Sequence, residues 1–144
     1  MDYSPYPPPR NKLDLRAVIE TPLRVFVWWL GIVLLATLVG YPNVICVTPL
    51  VWLAAFQVGK LCVTRTKSVL PNRRMTEAGL AGGIFGLLQG LLFGVIVPFM
   101  GANQTDAWTQ SIGLILIMLI ASIWIGAGLA FLAAYLSETR RGGW

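Results

Sequence analysis

The chain has 144 residues, 56% of them hydrophobic and 12% charged, with a net charge of +5 and a mean hydropathy of +0.71. Soluble domains carry roughly a quarter charged residues, so this composition excludes an ordinary soluble fold and points to one solvated by lipid. The sequence contains no histidine, which removes histidine-ligated haem, chlorophyll or metal, and histidine general-base catalysis, from what this chain can supply.

The first ten residues, MDYSPYPPPR, are too rich in proline for a helix and are expected to form a loose tail or an extended strap that orders against a partner. Residues 13–20 form a candidate short surface helix, after which Thr21 and Pro22 supply an N-cap and first-turn pair for the first apolar span. The mixed-charge segment ahead of that span lacks the pattern of a cleaved signal, and no A-x-A-like site follows it, so the first helix is expected to be retained. Spans are predicted over about 23–40, 44–60, 78–100 and 110–136. They divide the chain into an N-terminal cytoplasmic segment (1–21), a four-helix transmembrane domain (22–137) and a short cytoplasmic tail (138–144). The fold class is therefore an all-α integral membrane protein with four transmembrane helices and short loops. Tyr41, Pro42 and Asn43 give a tight turn between the first two helices. Pro49 lies inside the second, Thr76 and Glu77 are candidate caps for the third, and Asp106 for the fourth.

Charge orients these helices. The eleven Lys and Arg fall before the first span, between the second and third, and at the C-terminus, while the turn at 40–43 and the loop at 101–111 have none. The positive-inside bias then places both termini and the central loop in the cytoplasm, with a bacterial inner or cytoplasmic membrane as the expected location. Basic residues that flank spans instead of forming one patch argue against a nucleic-acid partner. They suit contact with anionic headgroups on the cytoplasmic side, at about 1 kcal/mol per residue near the surface.

The third span carries GLAGGIFGLLQGLLFG over residues 79–94. Each glycine inside a helix costs about 0.5–1 kcal/mol relative to alanine. On a helical wheel Gly79, Gly82, Gly83, Gly86, Gly90 and Gly94 share one stripe roughly 120° wide. Hydrocarbon provides no hydrophobic drive between helices, so small residues spaced by four serve close backbone approach. Ser122, Gly126, Ala130, Ala133 and Ser137 form a matching seam on the fourth span. Pairing of the two is expected at the inner half, with Gly90 and Gly94 left to face a ligand, a lipid tail or another subunit.

Groups capable of chemistry are few. Acidic residues are expected only outside or at the ends of the spans, which disfavours proton-coupled transport. Cys46 and Cys62 lie roughly 24 Å apart along one helix and cannot pair. Gln57 and Gln89 are the amides at membrane depth and, with Trp52 and Trp124, the candidates for contact with a quinone, pigment or lipid. Trp28, Trp29 and Trp108 suit interfacial belts, and Lys60 suits a snorkelling position. Asn103 heads an N-x-T acceptor tripeptide. These features lead to the expectation of a non-catalytic accessory subunit of a larger membrane complex, an energy-transducing one among the settings, packing through the glycine stripe against other membrane subunits. A small self-associating channel or transporter is the alternative, against which stands the shortage of polar residues to line a path.

Overall fold

The computed structural model describes the backbone over residues 13–38, 44–100 and 107–140, and side chains over 13–35, 49–94, 113 and 115–140. The proline-rich segment 1–10, the turn at 40–43, the Asp106 cap, the Asn103 acceptor and residues 141–144 lie outside the described residues, as do the side chains of Cys46 and Trp108. Four helices follow in order: α1 (Leu15–Leu38), α2 (Val44–Arg65), α3 (Pro71–Met100) and α4 (Ala107–Arg140). Three of them contain stretches long and apolar enough to cross a membrane, at Leu15–Leu35, Pro71–Gly94 and Ile115–Arg140. The described side chains of α2 cover only residues 49–65, too short a stretch to be judged by the same measure. The molecule is thus all-helical, with the character of a multi-pass membrane protein.

Two helix starts differ from the expectation. Helix α1 begins at Leu15, ahead of Thr21 and Pro22, and so absorbs the surface helix expected over 13–20. Asp14 is its cap, with Oδ1 accepting from the Ala17 N–H at 3.2 Å, a carboxylate favoured at a helix N-terminus. Pro22 removes one backbone bond but is buried against the rest of the bundle, where packing tolerates it. Helix α3 begins at Pro71 rather than near Thr76. Proline suits the first helical position because its missing N–H would have no intrahelical acceptor there. The Leu70 carbonyl then accepts from the N–H groups of Arg73 and Arg74 at 3.1 and 3.2 Å. With 30 and 34 residues, α3 and α4 extend to roughly 45 and 51 Å, longer than a hydrocarbon core of about 30 Å, so part of each lies at or beyond the headgroups.

Helices α2 and α3 form the central pair. Both touch α1 on one side and α4 on the other, and α1 and α4 do not meet among the described residues. On the α1 side the space is filled by rings. Trp29 packs against Phe26 at 5.8 Å, Phe93 at 6.1 Å and Phe85 at 6.4 Å between centroids, the Phe85 contact being edge-on. Trp29 is only 3% exposed while Trp28 is 77% exposed, which corrects the reading of both as belt residues. Trp29 is turned into the aromatic contact with α3, and Trp28, about 100° further round the helix, points away from it.

On the α4 side the space is nearly closed. A methyl group added at Gly82 would overlap the Gly126 carbonyl and the Ala130 side chain, and one at Gly86 would overlap the Ser122 carbonyl. At Gly59 of α2 it would meet the Ala130 backbone. Alanine at Gly82 or Gly86 should therefore destabilise the protein by about 1–3 kcal/mol, the usual cost of overpacking. At Gly128, inside α4 with nothing within 4 Å, alanine should instead stabilise by about 0.5–1 kcal/mol. Reversible unfolding in mixed detergent micelles checks the contrast.

Candidate functional site

Among the described residues a polar end is built where α1 and α3 start and α2 and α4 finish. Its centre is Glu77, two turns into α3 and fully buried. A buried carboxylate is costly unless its oxygens are hydrogen-bonded. Here Oε1 accepts from the Asp14 N–H at 3.0 Å, and Oε2 accepts from the Thr66 hydroxyl. Asp14 in turn accepts from the Lys67 N–H through Oδ2 at 3.2 Å. The start of α1 is thereby tied to the α2–α3 connection. Arg74 ties in the last helix: its Nε donates to the Ser68 carbonyl at 2.6 Å and its guanidinium pairs with Glu138 of α4 at 3.1 Å. Glu138 is 4% exposed and sits at a helix C-terminus, where a carboxylate is unfavourable without a cation beside it. Thus all four helices are clamped at one end by side chains from their own termini.

The sequence makes Glu77 a candidate cap at the end of the third span. It is instead the buried centre of this cluster, because α3 starts earlier and carries it into the bundle. The signal that could have located it is Pro71 followed by two arginines, a better helix start than Thr76.

The glycines on α3 divide by depth. Gly82, Gly86 and Gly90 are buried against α4. Added methyl groups would reach the Leu119 Cα at 3.2 Å from Gly90 and the Ile115 Cγ2 at 3.0 Å from Gly94. The outer half of the stripe thus meets α4 as well, in contrast to the expectation that it faces outside the chain. Gly79 and Gly83 are half-buried, with Phe131, Ala127 and Ile123 about 3.8 Å away, and floor a shallow apolar groove of about 530 Å³ on the α3–α4 surface. On α4, Gly126, Ala130 and Ala133 are buried and Ser122 is half-buried. Gly59, which meets the same Ala130 from α2, is absent from the sequence reading because one glycine shows no spacing.

The four cofactor candidates are not brought together. Gln89 is 6% exposed inside the bundle, whereas Gln57 is exposed at a hollow between α1 and α2. Trp52 and Trp124, at 53% and 75% exposed, turn outward on α2 and α4 and wall neither glutamine. No cluster of three metal-ligating side chains occurs among the described residues. The chain matches no family model, no curated protein and no solved structure.

Replacing Glu77 by alanine strands the Asp14 N–H and the Thr66 hydroxyl in a buried setting and should cost about 1–3 kcal/mol. Hydrogen exchange should rise first at Ala17 and Val18, where α1 is tied down. The exposed pair of Arg16 and Glu20 on α1 provides the control, and Glu20→Ala should leave both readings unchanged.

Proposed function

We propose that this chain is a non-catalytic accessory subunit of a larger membrane complex, spanning the membrane four times with both termini in the cytoplasm. The observation that carries this reading is the one-sided packing of α4. Only 11% of its apolar span is buried within the chain, and Trp124, Ile117 and Leu116 stand outward at 75%, 69% and 55% exposed. Because the glycine stripe of α3 is taken up by α4, contact with other membrane subunits falls to this outer face and to the outer face of α1. The shallow groove over Gly79 and Gly83 suits the tail of a lipid or of a neighbour's cofactor. An energy-transducing assembly in a bacterial inner membrane is one setting that this surface fits.

Several features support the orientation. The four helix ends that meet at the polar clamp are those beside which the basic residues lie, including Arg16, Lys67, Arg73, Arg74 and Arg140. Basic segments at one end of a bundle are retained on the cytoplasmic side. No nucleic-acid partner is proposed, and the absence of histidine leaves the chain without the commonest ligand and base for a reaction of its own.

Two measurements test these statements. Purification of the tagged full-length chain in a gentle detergent should yield stoichiometric membrane partners; a homo-oligomer would favour a self-associating channel, and a lone monomer would overturn both. Cysteines placed at the exposed positions 67 and 69 should be reactive only from the cytoplasmic side, and labelling from outside would reverse the topology.

A further inference from the structure

We infer that the seam between α1 and α2 is a binding site for one anionic phospholipid, with its phosphate at the polar end and an acyl chain along the helices. The inference needs only the membrane setting and stands apart from the subunit reading. Two hollows of about 320 Å³ each lie on this seam. The first, at the polar end, is walled by four basic side chains, Arg16, Arg24, Arg65 and Lys67, and two acidic ones, Asp14 and Glu20, with Thr21. The second is walled by Val25, Ile32, Leu50, Leu53, Ala54 and Leu61, with Gln57 and the two tryptophans 28 and 29 alongside. They are consecutive: Arg24 borders the first and Val25 the second on α1, and Leu61 precedes Arg65 by one turn on α2. From Leu61 to Leu50 the apolar half runs roughly 16 Å along the helix. A basic pocket continued by an apolar furrow has the polarity of a phospholipid.

Charge within the polar half is not self-cancelled. Asp14 accepts from two backbone N–H groups, of Ala17 and Lys67, both at 3.2 Å. Glu20 pairs with Arg16 at 2.6 Å and Arg24 at 3.6 Å. Arg65 and Lys67 form no ion pair among the described residues, although Arg65 lies within Coulombic reach of Glu20; four cations against two carboxylates leave the hollow net positive and suited to an anion. A second observation is independent of charge. The Thr21 hydroxyl and the Trp29 indole N–H are buried without a hydrogen-bond partner, and these two residues wall the polar and the apolar half respectively. Buried polar atoms are normally satisfied; these two lie beneath the furrow surface, so they mark imperfect packing along the seam and are not groups open to a ligand lying in it. A phosphate alone would occupy only the first hollow. The second requires a chain.

The test uses the full-length protein, delipidated in mild detergent and titrated separately with dioctanoyl phosphatidylglycerol, dioctanoyl phosphatidylcholine and inorganic phosphate. Native mass spectra and the melting temperature are read for each. Phosphatidylglycerol should add one mass per chain and raise the melting temperature, phosphatidylcholine should bind far more weakly, and phosphate alone should raise neither. The double variant Arg65→Gln/Lys67→Gln should lose affinity for phosphatidylglycerol by about 30-fold, about fivefold for each charge. Both side chains are exposed, so its lipid-free melting temperature should stay that of the parent. Ala54→Leu, which narrows the apolar half, should weaken the same lipid without altering the headgroup preference. Stabilisation by phosphate equal to that by lipid would reassign the site to a free anion and overturn the acyl half. Equal binding of the two lipids, or parental affinity in either variant, would place the lipid elsewhere and overturn the inference.

Discussion

Helices α3 and α4 approach until glycine carbonyls of one helix occupy the space where side chains of the other would stand, and the rest of the bundle is arranged around that contact. In lipid the association of helices has little hydrophobic drive and must come from dispersion contacts and hydrogen bonds. Dispersion is worth little per atom pair and falls off within an ångström of the optimum, so the gain lies in bringing many backbone atoms to contact distance at once. Gly82, Gly86 and Gly126 permit that on α3 and α4, and Gly59 extends it to α2 through Ala130. The penalty for glycine in a helix is thereby set against a contact that no larger residue allows.

The opposite wall of the bundle solves the same problem with large side chains. Trp29, Phe26, Phe85 and Phe93 meet edge to face between α1 and α3. Phe85 and Gly86 are neighbours on α3, one turned toward α1 and the other toward α4. This explains why α1 and α4 do not meet among the described residues: α3 and α2 separate them, with rings on one side and bare backbone on the other. The polar clamp supplies what neither apolar wall can, a fixed axial register. Glu77 can be bonded to Asp14 and Thr66, and Arg74 to Glu138, at only one vertical offset of the helices. In a bundle whose apolar faces could slide, buried directional bonds set that offset.

Much of this arrangement was legible from residue spacing alone. Glycines four apart on one span and small residues four apart on another define facing stripes, and the distribution of Lys and Arg marks which helix ends lie together. The helix starts were not legible, because local rules point two ways. Thr21 with Pro22 reads as a cap, yet Asp14 already caps a longer α1, and a proline inside a packed helix is tolerated where it would break an exposed one. Thr76 with Glu77 reads as a cap as well, but Pro71 comes first. That displacement hid the site: a carboxylate counted as an end group became a fully buried one, and its partners, separated by 63 and 11 residues, share no local pattern. The outward turn of Trp124 and the inward turn of Trp29 were hidden for a related reason. Apolar residues surround both helices, so composition does not say which face is lipid and which is protein.

The two styles of packing also determine where space remains. Backbone laid on backbone along α3 and α4 leaves a shallow groove over Gly79 and Gly83 at its edge. Between α1 and α2 the contact is made by branched and aromatic side chains, which hold the backbones apart and leave gaps wherever a smaller residue such as Ala54 or Thr21 comes between larger ones. Each of these two helices also has a proline, Pro22 and Pro49, which costs a backbone bond and limits how straight the pair can lie. A membrane protein has a simple remedy for such gaps that a soluble one lacks, since the solvent itself is made of chains that can fill them. The α1–α2 seam ends among Arg65, Lys67 and Arg24, so the lipid best retained there is one whose headgroup carries a negative charge.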